Sequence, residues 1–339
     1  MSESKPISKA SPVSRRDVLV GSAALATLAA AGPALSQTGA SAEPAVVLIT
    51  GTSAGFGRLM AEGFARQGAR VVASMRDIEG RNASAATELR TLAQSNDLAL
   101  EVIEIDVLSE ESVASGVARA VDGAGRIDIL VNNAGVVVPG PVELQPQRFF
   151  QANIDTNAAG SMRMIRAVVP HMRAAGQGTI IQMSSALGRA IDPMLGGYCA
   201  SKLVAEAAAD ALSYELAASN IEVAIVQPAA PYPTRLQANA RRYWEEMAAE
   251  LGDAANPLRE VYARHIDYML AELKGDESLD PWEVPNAVIA LANMAFGTRP
   301  GRIAIGPYAD GIEPVNAVHD TFQNEMIGHS AIAELVKPI

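Results

Sequence analysis

Val46-Val47-Leu48-Ile49-Thr50-Gly51-Thr52-Ser53-Ala54-Gly55-Phe56-Gly57-Arg58 runs from a short apolar stretch into three spaced glycines. The unbroken apolar run 46–49 is the pattern of a strand covered on both faces, and residues from about 56 to 67 carry helical spacing. Between strand and helix each glycine answers a different steric demand. Gly51 lets the chain turn sharply, Gly55 lets the backbone approach a pyrophosphate, and Gly57 lets the helix pack on the strand. The free N–H groups and the dipole at the helix start favour an anion. The segment, with Ser53 and Phe56 inside it, therefore predicts a dinucleotide-binding turn.

Outward from this turn the same alternation continues. Strands are expected at 69–74, 100–105, 127–131, 179–183, 222–226 and 302–305, with helices at 82–95, 110–121, 147–174 and 198–218 between them. Apolar strands separated by helices imply an α/β fold of Rossmann type, a doubly wound parallel sheet with helices on both faces. In that plan ligands bind beyond the carboxyl ends of the strands.

The 339 residues are 49% hydrophobic and 19% charged, enough apolar content to bury a core, and only 4% aromatic. A net charge of −11 argues against a nucleic-acid partner. The single cysteine, Cys199, cannot form an internal disulfide. His171, His265, His319 and His329 lie far apart without metal-ligand spacing, so no metal site is expected.

Residues 1–36 read differently from the rest. A polar start leads to Ser14-Arg15-Arg16-Asp17-Val18-Leu19, then an uncharged run 18–31, then Pro33 and Ala34-Leu35-Ser36. Paired arginines before a weakly apolar core resemble a twin-arginine export signal, which implies passage of a folded protein through the export machinery to the periplasm. A membrane anchor is the alternative, but the run is about 14 residues against roughly 20 needed to span. If the leader is not cleaved, the protein is cytoplasmic or membrane-tethered. A linker at 37–44 then precedes one domain at 45–339, with a helical, substrate-covering insertion at about 231–280.

Further motifs follow the glycine turn in order: Asp106-Val107 after the third strand, Asn132-Asn133-Ala134-Gly135 after the fourth, and Asn157 in Asn157-Ala158-Ala159-Gly160. Ser184-Ser185 then precedes Tyr198-Cys199-Ala200-Ser201-Lys202. With Thr50-Gly51 and its spaced glycines, this chain resembles the short-chain dehydrogenase/reductase family from about Val46 to Pro228. The resemblance implies that Asp106 and Val107 meet the adenine end of a nicotinamide cofactor, and that Asn133, Ala134 and Gly135 bind beside it and support the sheet there. It implies Ser185, thirteen residues before Tyr198, as the residue holding the substrate oxygen, with Ser184 facing the interior. Asn157 is implied to hold a water beside Lys202. The family also implies a homodimer or homotetramer, for which the alanine-rich helices at 147–174 and 198–218 offer close-packing faces.

Tyr198 and Lys202 are four apart and so share a helix face. A phenol near pKa 10 is a poor base, and an adjacent ammonium favours its phenolate. That pairing suits Tyr198 as the acid/base of a hydride transfer.

Cofactor choice is read at the end of the second strand, Ala73-Ser74-Met75-Arg76-Asp77. Met75 is neutral where a carboxylate would select a ribose hydroxyl, and Arg76 suits a 2′-phosphate, with Arg58 as a further cation. NADP(H) is favoured over NAD(H), although a one-residue slip would bring Asp77 to the ribose. After the sixth strand the family pattern breaks. Pro228-Ala229 stands where Pro-Gly is usual, and one extra residue precedes Thr234, the residue implied to meet the nicotinamide. Beyond it, Tyr243, Trp244 and Tyr262 either line the substrate pocket or pack a helix onto the domain.

The sequence thus predicts an NADP(H)-dependent oxidoreductase interconverting a secondary alcohol and a ketone. The alternative is a cofactor-binding scaffold or regulator that has lost turnover. Changing Arg15 and Arg16 together to lysine is expected to leave active protein in the cytoplasm. Fractionation checks this, and unchanged export would reject the leader.

Overall fold

Strand β1 (Val46–Thr50) is buried along its whole length. Its residues alternate: Val47 and Ile49 enter one apolar layer, Val46 and Leu48 the opposite one. A strand with apolar side chains on both faces must be covered on both, and this dictates the architecture. The computed structural model describes residues 43–335, so the export-signal reading of 1–36 lies outside the described residues, as does most of the 37–44 linker.

In chain order the elements are β1, α1 (Gly55–Arg66), β2 (Arg70–Met75), α2 (Ala83–Ser95), β3 (Leu100–Glu104), α3 (Glu110–Ala124) and β4 (Ile129–Asn132). Next come α4 (Gln147–Ile154), α5 (Gly160–Ala175), β5 (Gly178–Met183), α6 (Gly196–Leu216) and β6 (Ile221–Pro228). The chain continues through α7 (Arg235–Leu251), α8 (Asn256–Val261), α9 (Ala263–Glu272), α10 (Glu283–Ala292), β7 (Arg302–Ile305) and α11 (Ala309–Gly328). All strand pairs are parallel, in the order β3-β2-β1-β4-β5-β6-β7.

Helices α1, α2 and α10 cover one face with Met60, Phe64, Leu89, Val284, Val288 and Ile289. Helices α3, α5 and α6 cover the other with Val113, Val117, Met164, Val168, Met172 and Ala209. A third apolar cluster lies outside the sheet, where Ala240, Trp244 and Met247 of α7 and Met269 of α9 pack around Val138, Phe149 and Tyr198.

Three expectations change. The single helix expected over 147–174 is interrupted by a π-helical turn, Asp155–Ala159, which holds Asn157. β6 runs on to Pro228, paired with Ile305 of β7, so that proline ends a strand instead of opening a loop. Helices α10 and α11 had no counterpart in the sequence reading. α10 is apolar on most sides because it is wedged against α1, where Gly63 leaves room for Ile289.

The strand order turns about β1, with β2 on one side and β4 on the other. The chain leaves β1 and β4 in diverging directions, and that divergence opens the crevice of the doubly wound plan. Thr50 holds the two ends together. Its Oγ1 accepts from the backbone N–H groups of Asn133 (3.0 Å) and Ala134 (2.9 Å), while Asn133 Nδ2 donates to the carbonyl oxygens of Thr50 (2.8 Å) and Gly51 (3.2 Å). Thr50→Val keeps the shape and strands two N–H groups. A loss of roughly 2 kcal/mol is expected, seen as a lower urea midpoint with an unchanged slope.

Candidate active site

Beyond the carboxyl ends of the strands lies a cavity of about 330 Å³. Except for Arg58, every residue singled out from the sequence for the cofactor lines it: Gly51, Ser53, Gly55, Phe56 and Gly57 at the first turn, Arg76 after β2, and Asp106 and Val107 after β3. Asn133, Ala134 and Gly135 after β4, Tyr198 and Lys202 on α6, and Pro228 and Thr234 after β6 complete that set.

The first turn requires its glycines. Gly51 has φ +71°, and a Cβ there would lie 2.8 Å from Ala134 Cα. Gly55 has φ +56° and faces Thr234 across the cavity wall. Helix α1 starts at Ala54 with no side-chain cap and no acidic residue in its first turn, so its leading N–H groups remain available to an anion. This cradle fits a dinucleotide pyrophosphate.

At the far end of β2 the two cations resolve differently from the sequence reading. Arg58 does not reach the cavity: its guanidinium pairs with Glu88 at 3.0 Å, one helix away. Asp77 does not reach it either. It sits at φ +53° and its carboxylate accepts the Arg81 backbone N–H at 2.9 Å, closing the turn into α2. Arg76 lines the cavity as expected, and Arg81, which the sequence reading missed, joins it. Neither guanidinium has an ion-pair partner among the described residues. Arg81 comes close only because the Asp77 turn folds residues 77–81 back, a geometry that carries no periodic signal.

At the other end stand Ser185, Tyr198 and Lys202. The Tyr198 phenol shares a hydrogen bond with Ser185, and Lys202 Nζ lies 5.7 Å from the Tyr198 ring centre. Lys202 is buried and donates to the carbonyl of Met183, the last residue of β5, at 2.9 Å. Burial pushes the Tyr198 phenol up to about 12, against the Ser185 hydrogen bond. Burial also pushes the Lys202 ammonium down to about 8, and the Glu206 carboxylate opposes that fall. The expected lowering of the tyrosine does not occur in the protein by itself. Desolvation outweighs the Ser185 hydrogen bond, and Tyr198 is a phenol, a proton donor, at neutral pH.

Asn157 does not line the cavity. Its Oδ1 accepts from Val136 N–H (2.8 Å), and its Nδ2 donates to Val136 O (2.9 Å) and to Ser201 Oγ (2.8 Å), one residue before Lys202. The side chain is a clamp between the β4 loop and α6. Asn153, four residues earlier and not anticipated, clamps Val138 in the same way, with both bonds at 3.0 Å. Ser184 faces the interior and donates to Glu206 at 2.5 Å.

The loop after β6 accommodates its departure from pattern. Ala229 has no positive φ, donates its N–H to Ile305 O at 2.7 Å, and is buried. A glycine is not needed there. Thr234 caps α7 in a capping box with Gln237. Of the three aromatic residues left open by the sequence, Tyr243 lines the cavity and Trp244 packs in the third apolar cluster. Tyr262 is at the surface, donating to Glu143 at 2.7 Å.

A family profile described as short chain dehydrogenase matches residues 45–244. An uncharacterized oxidoreductase of Bacillus subtilis is 32% identical over 249 residues, covering 73% of this chain and 84% of that protein. The 3-ketodihydrosphingosine reductase of Bacteroides thetaiotaomicron is 33% identical over 186 residues, 55% of this chain and 64% of the reductase. A solved gluconate 5-dehydrogenase of Burkholderia cenocepacia, in complex with NADP and tartrate, superposes with a TM-score of 0.54 at 28% identity, over 58% of this chain and 74% of that one. The profile match spans more than half of the sequence and ends within α7, so this protein belongs to the short chain dehydrogenase family and is an oxidoreductase.

Proposed function

We propose that the protein is an NADP(H)-dependent oxidoreductase that interconverts a secondary alcohol and a ketone. One observation carries this reading. Tyr198, hydrogen-bonded to Ser185 and backed by Lys202, stands in the wall of the same cavity whose other end is the glycine cradle. Bound there, the nicotinamide cofactor supplies or accepts the hydride.

In the reductive direction Ser185 holds the carbonyl oxygen by hydrogen bonding as negative charge develops on it. Tyr198 donates its phenolic proton to that oxygen, and the nearby Lys202 ammonium stabilises the resulting phenolate. The Met183 carbonyl fixes Lys202 in place, and the Asn157 clamp fixes the neighbouring turn of α6. Oxidation runs these steps backwards, with the tyrosine accepting the alcohol proton. Arg76 and Arg81 are the residues we assign to the 2′-phosphate, because guanidinium groups without partners suit a dianion. The gluconate dehydrogenase in complex with NADP and the 3-ketodihydrosphingosine reductase support a nicotinamide cofactor and the reaction class. The silent-scaffold alternative loses its motive, since Ala229 fits the backbone it occupies. The export leader, and acquisition of cofactor before export, rest on Arg15-Arg16 and the apolar run that follows.

Tyr198→Phe is expected to retain NADPH binding and lose turnover by at least about a hundredfold, followed as NADPH oxidation across cyclic, aryl and long-chain ketones. Normal turnover in that variant would reject the mechanism. Ketone reduction is expected to fall as pH rises through about 8, because the Lys202 ammonium deprotonates there while Tyr198 remains a phenol. Arg81→Ala is expected to weaken NADPH binding about tenfold with little change for NADH, read by fluorescence titration. Equal losses for both cofactors would reject the phosphate assignment.

A further inference from the structure

Glu206 lies one turn beyond Lys202 on α6 and is fully buried. Its hydrogen bonds go to Ser184 Oγ at 2.5 Å and Gln227 Nε2 at 2.8 and 3.1 Å. Arg189 Nε, from the turn after β5, and Arg302 Nε, from β7, lie 3.0 and 3.5 Å from its Oε2, close in charge but without hydrogen-bond geometry. Both arginines have other carboxylates. Arg189 pairs with Asp210 on α6, and Arg302 pairs with Asp210 at 2.7 Å and with Asp320 on α11 at 2.8 Å. His319 sits beside Asp320 at 3.1 Å, at the edge of the group.

Three carboxylates, Glu206, Asp210 and Asp320, therefore meet two guanidinium groups. The arginines can be neutralised by Asp210 and Asp320, which leaves the Glu206 charge one turn of α6 from Lys202, without a direct ion pair between the two. Its strongest hydrogen bond reaches the chain neighbour of Ser185. Gly188, at the end of the turn that follows Ser185, has no room for a side chain because the Glu206 carboxylate and Ser184 occupy that space. The carboxylate thus ties together the two segments that carry the candidate acid/base group and the candidate oxygen-holding group.

We propose that Glu206 is a positioning residue: through Ser184 it fixes Ser185, and as the counter-charge of Lys202 it keeps that amine protonated behind Tyr198. The proposal rests on the oxidoreductase reading of Tyr198 and Lys202. Its balance is that of a proton held in place: Lys202 keeps the proton it has, and the only proton that moves is the one from Tyr198 to the substrate oxygen.

The chain has five lysines, so nitrogen-labelled lysine gives a resolvable Nζ signal for Lys202. In Glu206→Gln the amide still accepts from Ser184 but carries no charge. The Lys202 signal is then expected to titrate at lower pH than in the parent protein, and the alkaline limb of ketone reduction moves down with it. At pH 8, kcat falls about tenfold with KM for NADPH nearly unchanged. Glu206→Asp keeps the charge and withdraws the Ser184 contact, so kcat falls while the Lys202 titration stays near the parent value. Ser184→Ala, which leaves the charged group intact, lowers kcat without moving that titration.

A parent-like Lys202 titration and pH profile in Glu206→Gln overturns the counter-charge claim, whatever happens to kcat. Parent-like kcat in Ser184→Ala overturns the positioning claim. The Tyr198→Phe protein is run alongside. If it turns over normally, the oxidoreductase mechanism fails, while the lysine titration, which needs no substrate, still decides the role of Glu206. Thermal unfolding of each variant separates these effects from loss of fold.

Discussion

The Thr50 hydroxyl, accepting from two successive backbone N–H groups after β4, is the contact on which the cavity depends. It sits where the sheet order turns, and it joins the two chains that leave the sheet there. Together with the bonds from Asn133 Nδ2 to the Thr50 and Gly51 carbonyls, it fixes the separation between the glycine turn after β1 and the Asn133–Gly135 segment. The same reasoning extends along the β4 loop. Asn157 and Asn153 give Val136 and Val138 the paired backbone bonds that a neighbouring strand would otherwise provide. Buried backbone needs such partners, and here two side chains one turn apart supply them. The π-helical turn at 155–159 carries Asn157.

Charge in the site is governed by burial first and pairing second. Desolvation is the largest cause that raises the Tyr198 phenol and lowers the Lys202 ammonium, making both easier to hold neutral. A lysine in such a place needs a counter-charge to remain a cation. The buried group behind β5 and β6, with Glu206, Asp210, Arg189 and Arg302, meets that need without opening the site to water. An ion group this far inside is weak grounds for stability, since desolvation offsets most of its attraction. It holds the Ser184 hydroxyl and the turn at Gly188 in place behind Lys202.

The cover over the cavity is built on a different rule. Trp244 and Met247 anchor α7 to the apolar cluster around Tyr198, while Leu236, Asn239, Arg242 and Tyr243 on the same helix reach the cavity. One amphipathic helix thus covers the Tyr198 side and presents a mixed surface to the cavity. The Arg242 guanidinium lies over the Tyr243 ring at 4.6 Å and pairs with Glu246, which fixes that surface.

The sequence by itself determined the sheet and the cradle, because both are local. Unbroken apolar runs such as 46–49 report a strand covered twice, and Gly51 and Gly55 report backbone conformations that other residues rarely adopt. The choice of Ser185 over Ser184 came from the family resemblance, through its spacing to Tyr198, and not from the residues alone. Tertiary structure decided what depends on distance in space. It sent Arg58 to Glu88, turned Asp77 back onto Arg81, brought Arg81 beside Arg76, and set the Asn157 side chain as a clamp between the β4 loop and α6. It also gathered Glu206, Arg189 and Arg302 from three separate elements behind Lys202. The spacing of such residues along the chain carries no period, because the partner of a charge is chosen by the packing of elements and not by the residues on either side of it.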